Sequence, residues 1–177
     1  MPALWPDTHF SFPGGKKPRP RNKKAVDWVK SQIGTVEHGG DNCGRKIQSW
    51  QSKCGYGAGD AWCQIFVNNA FHHVTGRWFT KDGYTVRVFD NHPKNQFQLP
   101  HSGKSGKKRT LKPGDWIYFL GGNYPQGHVG MVSSHKNGII YTVEGNTGKP
   151  GGGPDGVFAK QHSDRSSDIR GFLRPPY

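Results

Sequence analysis

Long apolar runs are missing from this chain of 177 residues. No stretch approaches the roughly 20 residues needed to cross a bilayer, so no membrane-spanning helix is expected. The opening "MPALWPDTHFSFPGG" has no apolar h-region of the kind a secretory signal carries. The expectation is a protein that acts in the cell where it is made, or leaves by an unusual route. Acidic residues are scarce as well: 12 Asp and Glu stand against 25 Lys and Arg, a net charge of +13. Such a surface draws anionic partners and speeds their encounter. Nucleic acid and phosphate-bearing wall polymers are both open on this ground, beside simple solubility. Cysteine is rare, at Cys43, Cys54 and Cys63. An odd number leaves at least one thiol outside any internal pairing, and a Cys43–Cys54 disulfide is left open. The cysteine spacing fits no zinc signature and the nine histidines are scattered, so no metal and no cofactor are expected.

Hydrophobic residues make up only 32%, a thin supply for a core. Six Trp, six Tyr and ten Phe compensate, because each buries a large area. The length suits one domain. Residues 1–22, rich in Pro, Gly, Lys and Arg, read as a basic extended arm, and residues 23–177 as the single domain. Ala25, Val26, Val29 and Ile33 fall on one helical face, with Gly34 as a stop. A short second helix is expected around "KIQSWQS". A third follows Asp60 as N-cap, with Trp62, Ile65, Phe66 and Ala70 as its apolar stripe and Gly76 after its last turn. Residues 77–110 read as irregular, with a basic insertion "HSGKSGKKRT". Strand signals come next: "DWIYFL", "HVGMVSS" and "GIIYTVEG", then a long loop "GNTGKPGGGPDG" and a closing strand "GFLRPPY". Helices first and an antiparallel sheet second describe an α+β domain.

Cys63 stands out in this frame. With Asp60 as N-cap it occupies the third helical position, near unpaired N–H groups and the positive end of the helix dipole. Both favour thiolate. A thiolate nucleophile wants a base and a group that orients the base. His128 opens an apolar strand between Gly127 and Gly130, with space beside its ring. The next strand carries Glu144 and Asn146. If the hairpin loop is the three residues Lys136-Asn137-Gly138, His128 faces Asn146 and Gly130 faces Glu144. All four then share one face, and Glu144 reaches His128 diagonally across roughly 7–8 Å. A two-residue Asn-Gly turn would shift the pairing by one and send Glu144 to the other face. The catalytic reading therefore demands a loop of odd length.

"DAWCQIFV", "LKPGDWIYF", "GHVGMV" and "VEGNTG", in this order, resemble the CHAP domain, a family of cysteine, histidine-dependent amidohydrolases and peptidases. The family sits within the papain-like, NlpC/P60-type group. The likeness extends upstream to "IGTVEHGGDN" and downstream to "GFLRPPY", about residues 25–177, as in lysins of phages and of actinobacteria. The resemblance implies Cys63 as nucleophile and His128 as general base and then general acid. It implies Glu144 as the group that orients the imidazole, and Asn146 as an aid to it or to carbonyl polarisation. Gln64 stands where a small residue is common, but its backbone N–H remains able to serve an oxyanion hole. Tyr56 is a weaker candidate for a hydroxyl near the site. Some members bind calcium through an aspartate-rich loop before the cysteine. Here "SKCGYGAGDAWC" offers only Asp60, so no such site is expected.

The implied substrate is bacterial peptidoglycan, cut at an amide bond of its peptide, either as an N-acetylmuramoyl-L-alanine amidase or as an endopeptidase. The implied setting is a phage lysin, made in the host cytoplasm and released by a holin-type route, or carried on the virion. The basic surface is expected to attract anionic wall polymers, and the chain to be a monomer unless virion-bound. A toxin effector with the same chemistry is one rival. A nucleic-acid-binding module is another, disfavoured because the lysines concentrate in loops and are not interleaved with aromatics on strands. A catalytically dead binding domain is a third, opposed by intact Cys63, His128 and Glu144.

Overall fold

In a computed structural model the described residues are 20–121 and 127–177. The basic arm lies outside them except for its last three residues, two of which already belong to a helix. Four helices come first: α1 (Arg21–Ser31), α2 (Arg45–Cys54), α3 (Cys63–Thr75) and α4 (Thr85–Asn91). Six strands follow: β1 (Gln96–Phe97), β2 (Trp116–Phe119), β3 (His128–Lys136), β4 (Ile139–Thr147), β5 (Gly156–Ser163) and β6 (Ile169–Leu173). They form one antiparallel sheet in the order β1-β6-β2-β3-β4-β5. The fold is α+β, as the sequence predicts.

Each helix follows from its sequence. α1 buries Ala25, Val26 and Val29, while Ile33 falls beyond its end and stays exposed. α2 and α3 stop at Gly55 and Gly76, both left-handed, where glycine has no Cβ to clash. The start of α3 departs from expectation. Its N-cap is Trp62, which places Cys63 at the first helical position and not the third. The Asp60 carboxylate is spent locally, accepting the Gly57 N–H at 2.7 Å, and so closes a turn instead of capping the helix.

The sheet divides the core in two. One face carries Trp116, Val129, Met131 and Val143 against Trp62, Phe66 and Phe71 of the helical layer. The other encloses Leu99, Ile117, Phe119, Val132, Ile140 and Phe172. Burying a side chain of this size is worth roughly 1.5–3 kcal/mol, so this sparse set of aromatics can hold a domain whose overall composition is polar. Three elements escape the sequence reading. α4 and the two-residue β1 lie in the stretch expected to be irregular, and β5 follows the glycine-rich loop directly. β5 buries only Gly156 and Val157, so its sequence "GVFAKQHS" offers almost no apolar alternation.

The β3–β4 hairpin corrects the expected three-residue loop. Lys136 pairs with Ile139 across a two-residue turn, Asn137-Gly138, with φ of 50° and 76°. That is the geometry in which Asn-Gly turns match strand twist. By itself it would send Glu144 to the helix side. The pairing then slips: Ser134 faces Tyr141, but Val132 faces Thr142. Ser133 is the extra residue of a β-bulge, its hydroxyl donating to the Tyr141 carbonyl at 3.1 Å. Beyond the bulge Met131 faces Val143, which is the register that a three-residue loop would have produced.

Candidate active site

Cys63 enters from the helical layer. As the first residue of α3 it sits among backbone N–H groups that have no partner within the helix, at the positive end of the dipole. The residue before it is held firmly. The Trp62 indole N–H donates to Glu37 Oε1 at 2.9 Å, and the ring is fully buried against Phe66 and Trp50. The other two cysteines differ. All three thiols are free, and Cys43 and Cys54 do not pair. Cys54 is packed beneath Asn69, and burial pushes its thiol up to about 11, against the pull of Lys81.

His128 enters from the sheet. Its Nε2 lies 2.9 Å from Glu144 Oε2, and Cys63 is near enough to help raise its proton affinity. Nε2 is taken by the carboxylate, which leaves Nδ1 for the sulfur. Glu144 is 2% exposed and lies across Gly130, where an added Cβ would come within 2.6 Å of Glu144 Cγ. Its second oxygen accepts from Thr142 Oγ1 at 2.5 Å and stands 2.6 Å from His162 Nε2. Burial raises the Glu144 carboxyl, but the bonds from His128, His162 and Thr142 outweigh it and hold the group well below the usual carboxylate range. Burial likewise lowers His128, and Cys63 and Glu144 together reverse this, lifting it to about 10. The arrangement favours an imidazolium held against the buried Glu144 carboxylate, with the Cys63 sulfur beside it.

Asn146 lines the cleft with Cys63 and His128, but its amide turns away from the imidazole. Strand alternation breaks just after Glu144: the pairing with β5 slips by one and Asn146 adopts a φ of 55°. Its amide turns to the start of α3. It accepts the Trp62 N–H at 3.1 Å and donates to Asn42 Oδ1 at 3.0 Å, with Glu37 Oε1 at 3.2 Å. Gly145 makes this approach feasible, because a Cβ there would lie 2.7 Å from the Trp62 ring. The Gln64 side chain also turns inward, accepting from Tyr118 Oη at 2.9 Å and donating to Asn68 Oδ1 at 2.8 Å. Only its backbone N–H faces the helix end. Tyr56 lines the same cleft as Cys63, but its hydroxyl is occupied, accepting the Gly83 N–H at 2.8 Å and reaching Asp82 Oδ1 at 3.4 Å. His162 was invisible to sequence reasoning, since β5 itself gave no signal.

Cys63 and His128 open on a cleft of about 1260 Å³. Among its described lining residues Glu37, Asp41, Asp60 and Asp155 carry charge, and no Lys or Arg is present. Among the described residues no group of three or more His, Cys, Asp or Glu is placed to hold a metal ion. No helix among them is long and apolar enough to cross a membrane.

A thiol at a helix start, an imidazole against it and a buried carboxylate behind form the kind of array that cysteine hydrolases use. The CHAP domain family matches residues 48–146, more than half of the chain, and the chain belongs to that family. It is therefore a domain of the peptidoglycan-hydrolase type, in a family of cysteine peptidases and amidases. The fold is similar to that of the wild-type endolysin LysIME-EF1, with a TM-score of 0.56 at 18% identity over 88% of this chain. The chain spans 64% of that endolysin's length. Weaker likenesses link it to the NlpC/p60 domain of the peptidoglycan hydrolase SagA (TM-score 0.46, 19% identity, 86% of this chain and 97% of that one). NlpC1 from Trichomonas vaginalis is at a comparable distance (0.49, 18%, 87% and 44%). No curated protein matches the sequence.

Proposed function

We propose that this protein is a cell-wall lytic enzyme that cleaves an amide bond in the peptide part of bacterial peptidoglycan, with Cys63 as nucleophile. The observation that carries the reading is the chain of contacts from Cys63 through His128 to buried Glu144, at the edge of an open cleft. The Cys63 sulfur attacks the scissile carbonyl, and His128 gives its proton to the leaving amine as the C–N bond breaks. The resulting thioester is hydrolysed by water, which His128 activates by taking a proton. Backbone N–H groups at the start of α3, that of Gln64 among them, stand where the oxyanion forms. Glu144 keeps the imidazole oriented and charged.

The proposed setting is phage lysis, with the enzyme made in the host cytoplasm and reaching the wall by a holin-type route or on the virion. Its fold likeness to an endolysin supports the lytic role, not the route to the wall. The decisive test is digestion of purified peptidoglycan followed by mass spectrometry of the fragments. New N-terminal alanines identify an amidase, and new termini within the stem or cross-bridge an endopeptidase. Intact walls after prolonged incubation with folded protein would refute the reading.

A further inference from the structure

Glu144 has two oxygens and the proposed chemistry uses one. The other is occupied by His162 of β5, at 2.6 Å, on the far side of the carboxylate from His128. The two histidines bracket one buried anion. Phe119 of β2 lies beside both, its ring centroid 4.4 Å from that of His162 and 6.2 Å from that of His128. Thr142 adds a third donor on the His162 side. A carboxylate with one oxygen unheld can rotate about its terminal torsion, which is broad and intrinsically soft. It would then meet His128 out of line. With both oxygens tied, the plane of the carboxylate is fixed.

We propose that His162 is a positioning residue for the catalytic pair: its Nε2–H anchors Glu144 Oε1, and this holds Oε2 in line with His128. His162 is not among the residues that line the cleft, and it acts through Glu144. Among the described residues the ionisable groups set against this array are Cys63 from α3 and Glu144 from β4, besides the two histidines, while Phe119 supplies an uncharged wall. The proposal rests on the assignment of Cys63 and His128 above, and its test does not require peptidoglycan.

The test is the rate of alkylation of Cys63 by iodoacetamide as a function of pH, in a background where Cys43 and Cys54 are serine. Two variants separate anchoring from packing. His162→Phe keeps a ring against Phe119 and removes the donor. His162→Gln keeps an N–H at similar reach and removes the ring. Loss of a hydrogen bond to a charged group is expected to loosen Glu144, and with it His128, and to lower the alkylation rate of Cys63 about tenfold. His162→Phe should show that fall, and His162→Gln should stay within about twofold of the parent. The opposite pattern, a normal Phe variant and an impaired Gln variant, would overturn the proposal in favour of simple packing. A normal profile in both would overturn it too. Should the Phe variant not fold, His162→Ala takes its place as the variant without a donor and is expected to show the same fall, while a parental profile in it overturns the proposal. If the parent alkylates with the pH dependence of a free thiol, the Cys63–His128 assignment fails instead.

Discussion

The two sides of the His128 ring are built to opposite specifications. On the Nδ1 side stands Cys63, at the end of a helix and on the wall of an open cleft. On the Nε2 side stands Glu144, 2% exposed and tied at both oxygens by three donors. The open side has to admit a substrate, so it can be organised only by backbone groups and by the proton it shares. The closed side meets no substrate and can be saturated with hydrogen bonds. A low-dielectric surrounding strengthens those bonds and raises the penalty for losing one. The difference teaches that rigidity resides behind the imidazole and adaptability in front of it.

The largest effect should come from the open side. Cys63→Ala is expected to remove wall hydrolysis altogether, a loss on the order of 10⁴ or more, with an unchanged melting temperature. Cys43→Ser and Cys54→Ser should clear walls near the parental rate, because neither thiol meets His128. Loss of activity in a folded Cys54→Ser would break the division outright. Next comes Glu144→Gln, for which turbidity assays should record a loss of about 10²–10³, smaller than in serine triads because a thiol is a better nucleophile than a hydroxyl and leans less on its base. A variant with normal rates would show the closed side to be decoration.

The pH profile sharpens the comparison. Burial depresses His128, but Cys63 and Glu144 outweigh it and set its proton loss at about 10. Activity that depends on the imidazolium should therefore persist through pH 8–9 and fall as pH rises through about 10. The sign for stability is the same: His128 gains its proton more readily folded than unfolded, so its contribution is full below pH 6.5 and disappears as pH climbs toward 10. In Glu144→Gln the alkaline limb should move to lower pH. An alkaline limb unchanged in that variant would mean another group sets it.

Asn146→Ala should cost less, about three- to tenfold in rate, because the amide supports Trp62 and the start of α3 and does not support the imidazole. Its pH profile should match the parent, whereas an altered profile would return Asn146 to the His128 group. The smallest effect concerns salt. Lys and Arg outnumber acids by 25 to 12 but are absent from the described cleft lining. Raising ionic strength through the ~8–10 Å Debye regime should weaken sedimentation with anionic walls while leaving cleavage of soluble fragments nearly constant. Equal salt sensitivity in both assays would place the basic residues at the cleft.

The first three helices, the central strands and the shared face of His128 and Glu144 are legible in the sequence, because apolar periodicity and glycine punctuation mark them. The α3 boundary was misread because Asp60 had a competing local partner in Gly57, and spacing alone does not rank two N–H groups. β5 was unreadable because most of its side chains are not buried, and His162 was hidden with it. Asn146 reaches the cleft but not the imidazole, because strand alternation ends at Glu144 and the backbone leaves the extended region at a φ of 55°. The hairpin was the subtler failure. The face of Glu144 was correct, but the loop length given as its reason was not.

That hairpin behaves like a gene carrying two frameshifts that cancel. The short turn displaces every side chain of β4 by one position, and the extra residue at Ser133 displaces them back. Neither change is tolerable alone. Deleting Ser133, or adding one residue at Asn137-Gly138, would leave a hairpin with sound hydrogen bonds and Glu144 pointing into the helical layer. Doing both would restore the reading frame. Turn and bulge are thus inherited as one unit, and any loop graft onto this edge of the enzyme must be designed in even steps.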